Sequence, residues 1–227
     1  MNASILKEKI SSFKSKLLSQ DNYEHLYLYE VQKNFQEHWG LMKEPMEDMI
    51  SQSLHSDISR RLWTDKNFEP KEMMMAFAKL NKDYVRQMFL DLFDENKAID
   101  GRMDRFGFYC DEMLKSYKRK HAHKVDNNHF HDHHMISLYL SLAYPGTYAL
   151  YDHERFVKLL TEVKAKNPPR AADAPRYFKV IKIIMTFMDK EKGLREAHLN
   201  RLDARIHWTE VSAMLAYEML LSTFPKR

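Results

Sequence analysis

A chain of 227 residues fits one domain, or at most two small ones, and at that size folding buries roughly 70% of the unfolded chain's surface, enough for a core without staples. A single cysteine, Cys110, excludes an internal disulfide framework and makes a reducing compartment, the cytoplasm, the expected address. The net charge of +4 is uneven, since residues 1–112 carry 16 Lys+Arg against 20 Asp+Glu and residues 113–227 carry 20 against 12, an asymmetry that hints at a polyanionic partner.

In chain order, the segment MNASILKEKISSFKSKLL sets lysines among its apolar positions, so no secretory leader is expected. No later apolar run reaches the ~20 residues of a membrane span, so no membrane partner is expected. Turn chemistry predicts breaks at Trp39-Gly40 and Pro70. Val85, Met88, Phe89, Leu92 and Phe93 then fall at helical spacing, with Asn81 or Asp83 placed to cap. Phe106, Tyr109, Cys110, Met113, Leu114 and Tyr117 form a second stripe. Residues 135–144, MISLYLSLAY, are apolar nearly all round, which predicts a central buried helix ended by Tyr144-Pro145-Gly146. The alternation at Tyr148–Tyr151 is too short to build a sheet. Asn167–Pro175 offers a loop or hinge, but the stripe Ile181, Ile184, Met185 and Met188 beyond it must bury its face. About ten helices in one all-α domain spanning 1–227 are expected, and five glycines leave little room for hairpins or phosphate loops.

Chemistry-bearing residues are weighed against plainer roles. Cys110 lies inside an apolar stripe and reads as a core thiol. The fifteen methionines, Met73-Met74-Met75 among them, read as core filling. The pairs Asp94-Glu95 and Asp111-Glu112 are helix neighbours that point apart. Neither GxxxxGK[ST] nor GxGxxG occurs, so no nucleotide loop and no cofactor is implied. Residues 129–134 read HFHDHH. His129 and His133 are i, i+4 neighbours, and His131-Asp132 looks like the doublet of helical metal-dependent phosphohydrolases. That alternative would use His129, His131, Asp132 and His133, with His38, His55, Asp152 and Asp173 as unplaced further ligands. Zinc needs three or four converging donors, and adjacent His133 and His134 cannot both face one ion from a regular helix. The tract is therefore expected to hold no stoichiometric metal.

The same stretch, HFHDHHMISLYLSLAYPGTYALY (129–151), resembles a segment in the N-terminal region of McrB-like AAA+ proteins of modification-dependent restriction systems. The matching positions are His129-Phe130, Ile136-Ser137, Tyr139-Leu140, Tyr144-Pro145, Tyr148 and Tyr151. Upstream, YVRQMFLDLFDE (84–95), with Arg86 and Phe89, is similar to the family's Val-Arg-x-Met-Phe block. Arg102 and Phe106 match the helix after it, and FEPKEMMMAFAK (68–79) and FQEHW (35–39) resemble earlier blocks. The family places amides or acids where His131 to His134 stand, which argues against a shared metal centre. It also carries a GTP-hydrolysing motor after this region. The present sequence ends at Lys226-Arg227 without a motor motif, so an excised domain or a free-standing homologue is expected and no NTPase activity carries over.

The resemblance implies a non-enzymatic recognition module, DNA as partner, and an AAA+ motor or nuclease subunit beside it. The basic stretches supply the contacts: Lys115, Lys118, Arg119, Lys120 and Lys124 to phosphates, with Lys158, Lys164, Lys166 and Arg170 as a second patch. A protein-binding scaffold with a basic face is the plainer alternative.

Overall fold

A computed structural model describes residues 1–19, 23–64, 69–121 and 128–225. Among them lie eleven α-helices and no strand. The first six are α1 (Ala3–Leu17), α2 (Tyr27–His38), α3 (Met46–Ser53), α4 (Pro70–Leu80), α5 (Lys82–Phe93) and α6 (Ile99–Lys120). They are followed by α7 (His133–Ala143), α8 (His153–Glu162), α9 (Ala174–Met188), α10 (Leu194–Leu199) and α11 (Met214–Thr223).

The helices begin where side chains can satisfy their first amides. Asn81 is the cap of α5, accepting the Tyr84 N–H at 3.1 Å, while Asp83 sits in the first turn and pairs with Arg86 at 2.5 Å. Asp132, Asp152 and Asp173 cap α7, α8 and α9 in the same way. Pro70 and Pro175 each stand in a first turn, where a missing N–H costs nothing. Gly193, at φ +76°, precedes α10 in the left-handed region that glycine adopts without strain.

Helix α7 is the centre anticipated from its apolarity. Every residue from Met135 to Leu142 is buried, and α2, α5 and α6 pack around it. Phe89 of α5 gathers the rings of Trp39, Phe106 and Tyr139 at centroid distances of 4.8, 5.2 and 5.0 Å. A second helix, α11, is also buried throughout Met214–Leu220, and it carries Glu218 into the core. Beyond the Asn167–Pro175 stretch, α9 packs against α1, α6 and α11. The Arg176 guanidinium holds that stretch by donating to the Asn167 and Lys166 carbonyls at 2.6 and 2.8 Å.

Candidate functional site

Residues 128–134 lie on the approach to α7, and their side chains diverge. The Asp132 carboxylate accepts the Met135 N–H at 3.0 Å, which is a cap's task. His133 is half-buried beside the Tyr151 ring, and His134 donates from Nδ1 to the Tyr151 carbonyl at 2.7 Å. His131 is 3% exposed, donates from Nδ1 to the His129 carbonyl at 2.6 Å and takes the Tyr139 hydroxyl on Nε2 at 3.1 Å. Burial, with His129 alongside, pushes its pKa down to about 3. His129 is half-buried, its Nε2 at 3.3 Å from the Asp111 carboxylate, and burial outweighs that carboxylate in lowering its pKa. The set His129, His131, Asp132 and His133 is thus not gathered around one point. Among the described residues, the one group of three potential ligands with donor atoms within 4.8 Å of one another is Cys110, His129 and His131. Cys110 is fully buried, and that burial pushes its thiol pKa well up.

The residues that carry the family resemblance hold the fold. Arg86 donates to the Leu41 carbonyl at 2.7 Å and to Glu44 at 2.8 Å, fixing the α2–α3 connection. Ser137 donates to the His134 carbonyl and accepts the Tyr151 N–H, both at 2.7 Å. Pro145 accepts the Ala213 N–H at 2.7 Å. Tyr139, Tyr148 and Tyr151 are buried and Tyr144 is half-buried. Their hydroxyls meet His131, Glu95 at 3.0 Å, His153 at 3.1 Å and the Phe93 carbonyl at 2.7 Å respectively. Arg102, 2% exposed, donates to the Tyr148 hydroxyl at 2.6 Å and the Leu92 carbonyl at 2.9 Å. These tyrosines are packing residues with satisfied polar ends.

The basic candidates separate into two places. Lys115, Lys118, Arg119 and Lys120 occupy the last turns of α6, where Lys115 pairs with Glu112 at 2.7 Å and Lys118 is half-buried. Lys124 lies outside the described residues. Lys158 pairs with Glu154 at 2.5 Å, Lys164 and Lys166 are exposed, and Arg170 lines a cleft.

That cleft, about 1400 Å³, is the feature sequence reasoning missed. It opens at the starts of α2, α7 and α8, beside the end of α11, and takes further residues from 61–64 and 170–172. Lys16, Arg61, Arg170, His25, His133 and His153 meet there with the rings of Tyr27, Trp63 and Tyr151. Several of its acids are engaged: Asp132 caps α7, Asp152 caps α8 and pairs with Arg155, and Glu154 pairs with Lys158. Together these groups can hold an anion beside the half-buried Phe130 ring, while Tyr27, Trp63 and Tyr151 are themselves buried in packing. Comparisons with protein-family models, with curated proteins and with solved structures gave no match.

Proposed function

We propose that this chain is a non-enzymatic helical recognition module that binds DNA and serves a McrB-like restriction or defence complex. The observation that carries the reading is the cleft, where cationic and protonatable side chains (Lys16, Arg61, Arg170, His133, His153) stand next to the half-buried ring of Phe130. Phosphates favour the first set, and a base removed from its stack favours the second. The basic end of α6 supports the same reading. It begins about two turns, or roughly 10 Å, along α6 from Asp111, whose carboxylate stands beside His129 of the cleft lining. Lys118, Arg119 and Lys120 would there position a duplex without reading its sequence. A base read in the cleft would supply discrimination. The resemblance to McrB-like N-terminal regions adds the biological setting, with an AAA+ motor or nuclease subunit as partner.

The test is titration of fluorescently labelled duplex and single-stranded DNA, with and without modified cytosines, at two salt concentrations. Binding at low salt that Arg170→Glu weakens is the expected result. No binding of either strand form at low salt removes the DNA reading and leaves a protein partner for the basic surface. The phosphohydrolase alternative loses support from the geometry, because Asp132 caps α7 and His133 faces Tyr151.

A further inference from the structure

Cys110 comes from the buried face of α6 and His129 and His131 from the segment leading into α7, yet their donor atoms lie within 4.8 Å of one another. Zinc bonds of about 2.0–2.1 Å to imidazole and about 2.3 Å to thiolate place tetrahedral ligand atoms about 3.3–3.8 Å apart. Side-chain movements of about 1 Å therefore close the three donors on one ion.

The hydrogen bonds around the two imidazoles already fix which nitrogen of each ring carries the lone pair. His131 donates Nδ1–H to the His129 carbonyl at 2.6 Å, so Nε2 keeps its lone pair. His129 accepts the His131 amide on Nδ1 at 3.0 Å, so its hydrogen sits on Nε2, 3.3 Å from the Asp111 carboxylate. Each ring thus gives its N–H to an outer acceptor, one a carbonyl and one a carboxylate. That is the arrangement found around metal-bound histidines, where the outer acceptor sets tautomer and orientation. The connecting residue Phe130 is held at φ 60°, with its amide donating to Asn128 at 2.7 Å, a left-handed conformation that costs a phenylalanine strain.

We propose that Cys110, His129 and His131 form a zinc site. Cys110 Sγ, His129 Nδ1 and His131 Nε2 are the ligands, Asp111 is the outer carboxylate on His129, and water fills the fourth position. Thiolate with imidazole selects zinc over magnesium or calcium, which take oxygen ligands. Binding is an exchange without redox: the Cys110 S–H bond breaks, a Zn–S bond forms and the proton leaves to solvent. The ion displaces the Tyr139 hydroxyl from Nε2 and the His131 amide from Nδ1. This reverses the expectation that the tract holds no metal, because the site needs a cysteine that looked like core filling and none of His133, His134 or Asp132. It stands independently of the DNA reading.

Titration of the metal-free full chain with Co²⁺, followed by Zn²⁺ competition, tests it. One equivalent of Co²⁺ should bind, with a near-ultraviolet sulfur-to-cobalt charge-transfer band and about one proton released per ion, and Zn²⁺ should displace it. Cys110→Ser should abolish the band. Asp111→Asn should weaken zinc by about 10–100-fold, while His133→Gln and His134→Gln leave it unchanged. Three results would overturn the proposal: no stoichiometric binding, a wild-type cobalt complex without the sulfur band, or binding lost in the His133 and His134 variants but kept in Cys110→Ser. The wild-type spectrum decides by itself, so a variant that fails to fold does not weaken the test.

Discussion

Glu218 is fully buried at the centre of α11, and its carboxylate accepts hydrogen bonds from Tyr29 of α2 and from Arg201 of the α10–α11 connection. Arg201 meets it with both terminal guanidinium nitrogens, and the Tyr29 hydroxyl donates to it at 2.7 Å. The second of those nitrogens also reaches His198 Nδ1 at 3.0 Å. Removing one side of such a pair leaves the other charge buried and alone, so Arg201→Met should cost about 3–5 kcal/mol in urea unfolding. The double variant Arg201→Met/Glu218→Leu should recover much of that loss, and failure to do so would mean the network is more than a matched pair. His198 carries the pH dependence. Burial first, then Arg201, hold its pKa down to about 3 in the folded chain, against 6.5 for an ordinary histidine. Between those values the unfolded chain binds a proton that the folded chain does not. Stability is therefore full above about pH 6.5 and falls as pH drops toward 3, by up to about 1.4 kcal/mol per pH unit. His25 and His207, also lowered by burial, act in the same direction. In His198→Gln, which keeps an acceptor for Arg201, the decline of unfolding free energy from pH 7 to pH 5 should be shallower. An unchanged slope would assign the acid sensitivity elsewhere.

At the scale of elements, α7 depends on its cap as well as its apolar surface. Asp132→Ala removes the acceptor of the Met135 N–H and should cost about 1 kcal/mol, whereas Asp132→Asn should cost a few tenths at most. If thermal unfolding ranks the two variants equally, the carboxylate has another task. The polar start of α7 is readable in sequence from the apolar run that follows, but Asp132, two histidines ahead of that run, shows itself as the cap only in the structure. The stripes of α5, α6 and α9 are readable for the same reason, because period and burial coincide there. Helix α11 is harder, since a run buried on all sides has no polar face and Glu218 looks like a surface charge until Arg201 is seen beside it. The candidate site was legible only in fragments. His25, Trp63, His133, His153 and Arg170 come from distant parts of the chain and share a cleft only once α2, α7, α8 and α11 are in place. Cys110 fits a core stripe so well that its distance to His129 and His131 carries the only sign of chemistry.

Across the whole molecule, charge is distributed along the chain rather than balanced within it, with a net excess of acids in residues 1–112 and of cations in residues 113–227. If those cations engage a duplex, affinity should be dominated by counterion release, and log K should fall by roughly 0.9 per unit of log salt for each phosphate contacted. The last turns of α6 and the cleft then make different contributions. Lys118→Glu/Arg119→Glu/Lys120→Glu should weaken binding for every sequence alike and flatten the salt slope, since these side chains meet phosphates. Phe130→Ala, in the cleft, should instead reduce the preference among single strands while leaving the slope near its wild-type value, because stacking releases few ions. Fluorescence anisotropy at 50 mM and 200 mM salt separates the two. A triple variant with an unaltered slope would place the phosphate contacts away from α6. A Phe130 variant that loses slope rather than preference would make the cleft an electrostatic groove instead of a pocket for a base.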